Sequence, residues 1–257
     1  MKTRTTIATA FLLAAIPALA GTTVPSLDEP QLTTTTDSGW RISTSMYIWT
    51  TRLDGDMTVK GTTAPVDVKF TDIFDNLDFS FMGLVEVGKG RWSFMTDLFY
   101  AKLSPSNTTP VARFDTEMEQ FIGNFAVFYR LVETETTRLD CYGGVRANWI
   151  ESDLNVQPTM GPALATSADE SWVDPILGIR FHHDLTDRFF VRAVADVGGF
   201  DVSSKLTWQA MAAIGYRISE NASAAIGYRA LGIDYTDGGF NYDVTSHGLL
   251  LGLEYRF

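Results

Sequence analysis

The sequence predicts an all-β protein: an antiparallel transmembrane β-barrel of about ten strands, with eight or twelve as the alternatives. Three observations carry this. Apolar residues recur with a period of two through segment after segment, which a strand requires and a helix would scramble. The connections between those segments alternate in length, long then short. After the N-terminal twenty residues, charged or strongly polar residues break every apolar run before the ~18 residues that a spanning helix needs. A barrel is the spanning structure that hides its hydrophobicity behind alternation.

The N-terminus sets the compartment. Lys2 and Arg4 precede Thr5–Leu19, which is uncharged and apolar or small, and Ala18-Leu19-Ala20 supplies small residues for cleavage. This is the pattern of a secretory signal peptide, residues 1–20, cut after about Ala20. Residues 21–38 hold Pro25, Pro30 and the Thr33–Thr36 run with no aromatic residue, and read as a flexible periplasmic leader. Residues 39–257 are left for the barrel, placed in a bacterial outer membrane.

The strands follow in order. Strand 1, about Trp40–Leu53, puts Trp40, Ile42, Met46 and Ile48 on one face. The polar stretch Asp54–Asp78 follows. Within it Met57–Lys60 and Val66–Phe70 can pair as a hairpin extending above the membrane; if the hairpin entered the wall, the count would become about twelve. Thr71–Leu77 reads as a short helix capped by Thr71. Strand 2, about Phe79–Gly88, presents Phe79, Phe81, Val85 and Val87 against Ser80 and Glu86, and Lys89-Gly90 turns. Strand 3, about Arg91–Leu103, has Trp92, Phe94, Leu98 and Tyr100 on one face and Ser93 and Asp97 on the other. Ser104–Arg113 is a loop.

Strand 4, about Phe114–Leu131, sends Phe121, Phe125, Val127 and Tyr129 outward and Gln120 and Asn124 inward, and Glu133–Thr137 turns. Strand 5, about Arg138–Leu154, sends Leu139, Cys141, Val145 and Trp149 outward, with Asp140, Tyr142, Arg146 and Asn148 inward. A loop is expected as far as Glu170, with strand 6 beginning near Pro175, because proline cannot donate to a central ladder. Arg180 and His182 face in. His183–Asp187 turns into strand 7, about Arg188–Val197, with Arg192 and Asp196 inward. Gly198–Ser204 is a short loop. Strand 8, about Lys205–Arg217, has Thr207, Gln209 and Arg217 inward. Strand 9, about Ala222–Tyr235, has Ser223, Gly227 and Arg229 inward. Thr236–Asn241 is a loop, and the last strand starts near Tyr242. Trp40, Trp92, Tyr100, Tyr129, Trp149, Tyr216 and Tyr255 fall near strand ends on the apolar face, as an aromatic girdle would.

Formal charge is −11, and −13 once the two cations Lys2 and Arg4 leave. Nucleic acid is therefore excluded as a partner, since it wants basic clusters. The single cysteine, Cys141, allows no intramolecular disulfide.

The lumen is the informative surface. By parity it receives Arg146, Arg180, Arg192, Arg217, Arg229 and Arg256 against Glu86, Asp97, Asp140, Asp196 and Glu254. The near balance of signs reads as a salt-bridge lattice filling a barrel of ~8–10 strands, which is just wide enough for its own side chains. The functional alternative is a narrow charge-lined pore or a small polar-ligand site. A general porin is disfavoured, since a water-filled channel takes ~16 strands. No catalytic residue is assigned. His182 faces in, His183 sits at the turn, and His247 adjoins Ser246 on the opposite strand face, so those two cannot pair. The acidic loop residues lack calcium-loop spacing; no metal and no cofactor is expected.

In the closing strand, SHGLLLGLEYRF, residues Leu251, Leu253, Tyr255 and Phe257 share the apolar face. This ending resembles the C-terminal assembly signal of bacterial outer-membrane barrels. The stretches DNLDFSFMG (75–83), KGRWSFMTDLFY (89–100), DVGGFD (196–201) and IGYRALGIDY (226–235) are similar to those of uncharacterised proteobacterial outer-membrane proteins, broadly of the outer-membrane protein A and W class. The resemblance implies a fold and an address, with no catalytic residues. The expected partners are outer-membrane lipid and lipopolysaccharide, the barrel assembly machinery and periplasmic chaperones, and the expected state is a monomer; the sequence ends on the barrel, so a peptidoglycan-binding domain of the outer-membrane protein A kind is not expected. The expected function is a structural or narrow-channel barrel. A lipid-modifying or proteolytic barrel enzyme is the first alternative, a soluble periplasmic β-protein the second.

Overall fold

The structure, a computed structural model, describes residues 39–59 and 62–257; the expected signal peptide and leader lie outside them. The strands are β1 (Trp40–Val59), β2 (Thr62–Val68), β3 (Leu77–Lys89), β4 (Trp92–Leu103), β5 (Ser106–Thr108) and β6 (Ala112–Glu133). They continue as β7 (Thr137–Pro158), β8 (Leu164–Asp184), β9 (Phe189–Gly199), β10 (Ser204–Arg217), β11 (Ala222–Asp237) and β12 (Phe240–Arg256). One helix, α1 (Phe70–Asp75), precedes β3.

Each strand pairs antiparallel with its neighbour, and β12 returns to pair with β1 from Ser43↔Arg256 to Val59↔Phe240, which closes the ring. β2 pairs only with the upper part of β1, and β5 only with β6, so ten strands form the wall. β2 therefore stays out of the ring and forms a hairpin with the upper part of β1, whose Met57–Val59 remain in the β1–β12 ladder, while Phe70 opens α1. Closure gives every wall strand two neighbours, although β1 from Tyr47 to Arg52 has a ladder partner on the β12 side only.

The outer wall carries a continuous apolar belt. Trp40, Ile42, Met46, Ile48, Leu249, Leu251, Leu253, Phe257 and their equivalents on every strand are exposed. From Trp40 to Thr50, β1 climbs ten residues before the first outward charge, Arg52. At ~3.3 Å per residue and a ~40° tilt this is ~25 Å, the height of an outer-membrane apolar band. Aromatic rings gather at the lower edge: Trp92 on Tyr129 at 4.7 Å, Phe189 on Tyr216 at 5.1 Å, and Tyr255 on Phe257 at 4.9 Å. Phe79 and Tyr100 pair at 5.9 Å at the upper edge.

Three expectations need correction. The loop expected through Glu170 is strand: β7 runs on to Pro158 and β8 starts at Leu164, so the two pair as a projecting ribbon. Pro175 is tolerated inside β8 because the β8–β9 ladder begins only at Ile176↔Gly198. Proline thus sits where β8 has a neighbour on one side only, which is the position open to it. The same lengthening shrinks the connections at this end. β11 and β12 are joined by Gly238-Gly239 alone, so the long–short alternation holds for the first loops and fades in the later ones. Finally, α1 is capped by the Lys69 position rather than by Thr71; the Lys69 amide donates to Asp72 Oδ2 at 3.3 Å.

Two glycines have clear physical reasons. Gly90 turns β3 into β4 at φ +58°, in the left-handed region. Gly178 faces the lumen where a Cβ would meet the Tyr142 ring at 2.4 Å, so its missing side chain is the space the tyrosine occupies.

Candidate functional site

The lumen has three storeys, counted upward from the end that carries the short turns. The lowest is a vestibule at the rim. Arg192 and Arg256 share Glu254 at 2.9 and 2.7 Å. Arg217 pairs with Asp184 and donates to the Asp187 carbonyl at 3.0 Å. His182 is buried, bonds Asp184 at 2.8 Å and stacks on Phe190 at 5.0 Å. Arg180 bridges Glu86 (2.6 and 2.9 Å) and Asp140 (2.8 Å) and lies 4.1 Å over the Phe128 ring. Asp140 also accepts from Arg130 at 2.9 Å, and Glu86 from Ser93 at 2.6 Å.

The middle storey is one connected polar girder. Tyr47 donates to Asp97 at 2.6 Å, and Arg229 reaches Asp97 at 3.2 Å and the Tyr47 oxygen at 3.1 Å. Asn124 donates to Asp97 at 3.2 Å and accepts from Arg146 at 2.8 Å. Arg146 donates to Thr207 at 2.7 Å and to Asp196 at 2.8 Å, and Asp196 accepts from Tyr142 at 2.8 Å. The girder ties β1, β4, β6, β7, β9, β10 and β11 across the lumen, and both partners of its central ion pair are buried, Arg146 fully so. Charged hydrogen bonds of this kind are the strong ones, and leaving any member unpaired in a dry interior is costly.

The upper storey is apolar. Trp49, Phe99, Ile122, Ile150, Trp172 and Leu231 begin it, and Ile233, Tyr235, Phe240, Tyr242 and Val244 complete it, all buried. Trp172 stacks flat on Tyr235 at 4.0 Å, and Trp49 meets Phe99 edge-on at 5.9 Å. These side chains pack together in the bore, with Thr51, Asn148 and Ser246 buried among the same strands.

All eleven predicted lumen charges stand on the inner face, and each joins an ion pair: Arg180–Glu86, Arg180–Asp140, Arg146–Asp196, Arg229–Asp97, Arg192–Glu254, Arg256–Glu254 and Arg217–Asp184. Arg130, Arg138 and Asp184 were not singled out from the sequence, though the same alternation carried one step further on strands 4, 5 and 6 reaches them. The upper storey was missed altogether.

On the outer wall, just above the belt, His247 donates through Nε2 to the Asp54 carboxylate (2.7 Å) and bonds the Tyr228 hydroxyl through Nδ1. Arg52 clamps Asp54 at 3.0 Å and reaches Asp67 at 2.9 Å. Ser246 is buried in the lumen, on the other side of the wall. His183 lies inside β8, one residue before its end, rather than in the turn, and bonds the Thr137 hydroxyl at 2.8 Å. Leu251, Leu253, Tyr255 and Phe257 form an exposed apolar row on the last strand. Cys141 contacts the Tyr129 carbonyl through sulfur at 3.7 Å. Among the described residues no group of histidine, cysteine and carboxylate side chains could hold a metal ion.

No protein-family model matches this chain, and no curated protein does. Solved structures do. The outer-membrane protease OmpT of Escherichia coli superposes with a TM-score of 0.58 at 10% identity, over 87% of this chain and 98% of that one. The NalP autotransporter translocator domain of Neisseria meningitidis gives 0.45 at 12% identity, over 87% and 90%. Ail, the attachment invasion locus protein of Yersinia pestis, gives 0.38 at 10% identity, over 85% and 99%. The fold is that of bacterial outer-membrane β-barrels. At these identities the likeness is one of fold alone.

Proposed function

We propose that this chain is an integral outer-membrane barrel with a closed lumen, a structural element of the membrane rather than a channel. One observation supports the reading: Trp49, Ile122, Trp172 and Leu231, each at most 5% exposed, pack in the bore above the girder. The ~25 Å belt supports membrane insertion. The short turns and the end of β12 lie at one end, which then faces the periplasm. Outer-membrane lipid and lipopolysaccharide would contact the belt. Leu251, Leu253, Tyr255 and Phe257 would be read by the assembly machinery after chaperoned transit and removal of residues 1–20. Planar-bilayer recording with purified protein tests the closed lumen. No conductance steps are expected; well-resolved steps from wild-type protein refute it.

A second reading rests on the Asp54–His247–Tyr228 chain at the outer edge of the belt. Hydrogen bonds from His247 and Arg52 hold the Asp54 carboxyl below its ordinary range, so it stays an anion that orients the imidazole. Such a relay could move a proton at a lipid ester or a peptide, the chemistry of a barrel enzyme. Fatty-acid release or peptide cleavage that disappears in His247→Ala would establish it; activity unchanged in that variant removes it.

A further inference from the structure

The lower storey holds more positive charge than its ion pairs consume. A cavity of ≈ 410 Å³ runs from the rim, at Trp40 and Phe257, up to the girder. Below the girder six arginines line it against three carboxylates, Glu86, Asp140 and Glu254. The excess lies inside a chain whose net charge is −11.

Four of those arginines share the three carboxylates, and Arg130 has Glu133 in addition at 2.8 Å. Two do not. Arg41 donates to the Gly90 carbonyl at 2.7 Å, a neutral acceptor. The Arg138 guanidinium has no hydrogen bond or ion pair among the described residues, although it is half-buried. The charges that act on it most are those of Arg256, Asp184, Arg130 and Arg192, and each of these three arginines has a carboxylate of its own, Glu254 or Asp140. Asp184 is already engaged by Arg217 and His182. The Arg138 guanidinium is thus left without an ion pair at the wall of an open cavity, where it is available to an anion that arrives from outside.

We infer that the periplasm-facing vestibule binds a phosphate group, held by Arg138 with Arg41 and Arg256 at its mouth. Guanidinium forks match tetrahedral phosphate oxygens in pairs, and a cavity of this volume is within the ~300–1,000 Å³ of small-molecule sites. The vestibule opens where a dissolved phosphate compound and a lipid headgroup of the inner leaflet both have access. The orientation is that of the proposed function; the binding itself does not require the lumen to be closed.

The test is calorimetric titration of inorganic pyrophosphate into the purified full-length barrel in neutral detergent, and again in discs of zwitterionic lipid with and without phosphatidylglycerol. Saturable one-to-one binding is expected. Arg138→Ala should weaken it about ten- to a hundred-fold, the usual effect of losing charged hydrogen bonds, and Arg138→Lys should restore part of it. Pyrophosphate binding that persists alongside phosphatidylglycerol assigns a soluble phosphate; binding displaced by that lipid assigns the headgroup. Absence of binding in both media overturns the inference, as does affinity unchanged in Arg138→Ala. A third result also overturns it: an Arg138→Ala barrel that unfolds far more readily than wild type, which would make Arg138 a wall residue.

Discussion

Replacing Arg146 by methionine tests the girder most directly. Methionine keeps the unbranched stem and removes the charge. The arginine side chain is 0% exposed and its partner Asp196 is 1% exposed, so solvent cannot take over either role. Three contacts are lost, to Asn124 (2.8 Å), Thr207 (2.7 Å) and Asp196 (2.8 Å). Two of the three partners are cushioned. Thr207 still donates to the Gly232 carbonyl at 3.2 Å, and Asn124 still donates to Asp97 at 3.2 Å. Asp196 keeps only the Tyr142 hydroxyl at 2.8 Å. The dominant cost is then a buried carboxylate without its cation, about 3–5 kcal/mol for breaking such a pair. Arg146→Met combined with Asp196→Asn removes the charge on both sides. It should recover most of that loss, since a buried ion pair often breaks even against neutral replacements. Urea unfolding in detergent micelles, followed by tryptophan fluorescence and linear extrapolation, reads both variants. A single variant within about 1 kcal/mol of wild type, or a double variant no better than the single, would refute the reasoning, because the 3–5 kcal/mol would not come from an unpaired charge.

Three further outcomes are expected. Leu231→Ala, at a residue 1% exposed in the upper storey, should cost about 2–5 kcal/mol in the same unfolding assay; a cost near zero would mean that the storey is not packed. Above the belt, partial burial and the carboxylates of Asp153, Glu119 and Asp169 raise the Glu151 carboxyl above its ordinary 4.5. The folded state therefore holds this proton more tightly than the unfolded chain, so stability falls as pH rises from about 4.5 through the raised value. Glu151→Gln should flatten that part of the profile, and an unchanged slope between wild type and variant would dismiss the effect. Deleting Phe257, whose ring is 74% exposed, should lower the yield of folded barrel in cells more than it lowers unfolding stability in micelles; equal cellular yields would count against an assembly role.

The wall was legible because the bilayer imposes a rule on every outward position of the belt. Ile42, Met46 and Ile48 against Ser43, Ser45 and Tyr47 is a contrast that sequence alone displays, and it fixed the inward face of all ten strands. The charges of the lower lumen were legible for the same reason: once the outward set is known, Arg180 and Glu86 have only one place to go. Which of them touch was not legible. Arg180 meets Glu86 from a strand 94 residues away, and that depends on strand tilt and stagger rather than on parity. The ribbon of β7 and β8 above the belt has the sequence character of a loop because outward positions there meet water. Glu151, Asp153 and Asp169 replace apolar residues, and the alternation that marks a strand disappears.

The upper storey follows from that change of solvent. Within the belt, lipid covers the outside of the wall, and the inside can be polar provided that its groups pair, as they do in the girder. Above the belt the outside turns polar: Asp234 and Asp243 stand where Ile226 and Leu251 stand lower on the same strands. A wall with water outside and a polar interior would bury no apolar surface at all, and burial is the main source of stability available to it. The inward positions of the same strands accordingly switch to Ile233, Tyr235, Tyr242 and Val244, which pack together in the bore. The polarity of the two faces thus inverts along one register, with no bulge between Asp237↔Phe240 and Ala222↔Tyr255. The proposed closure of the lumen then follows from the barrel projecting beyond the membrane, with the ion-paired storey lying beneath it where lipid covers the wall.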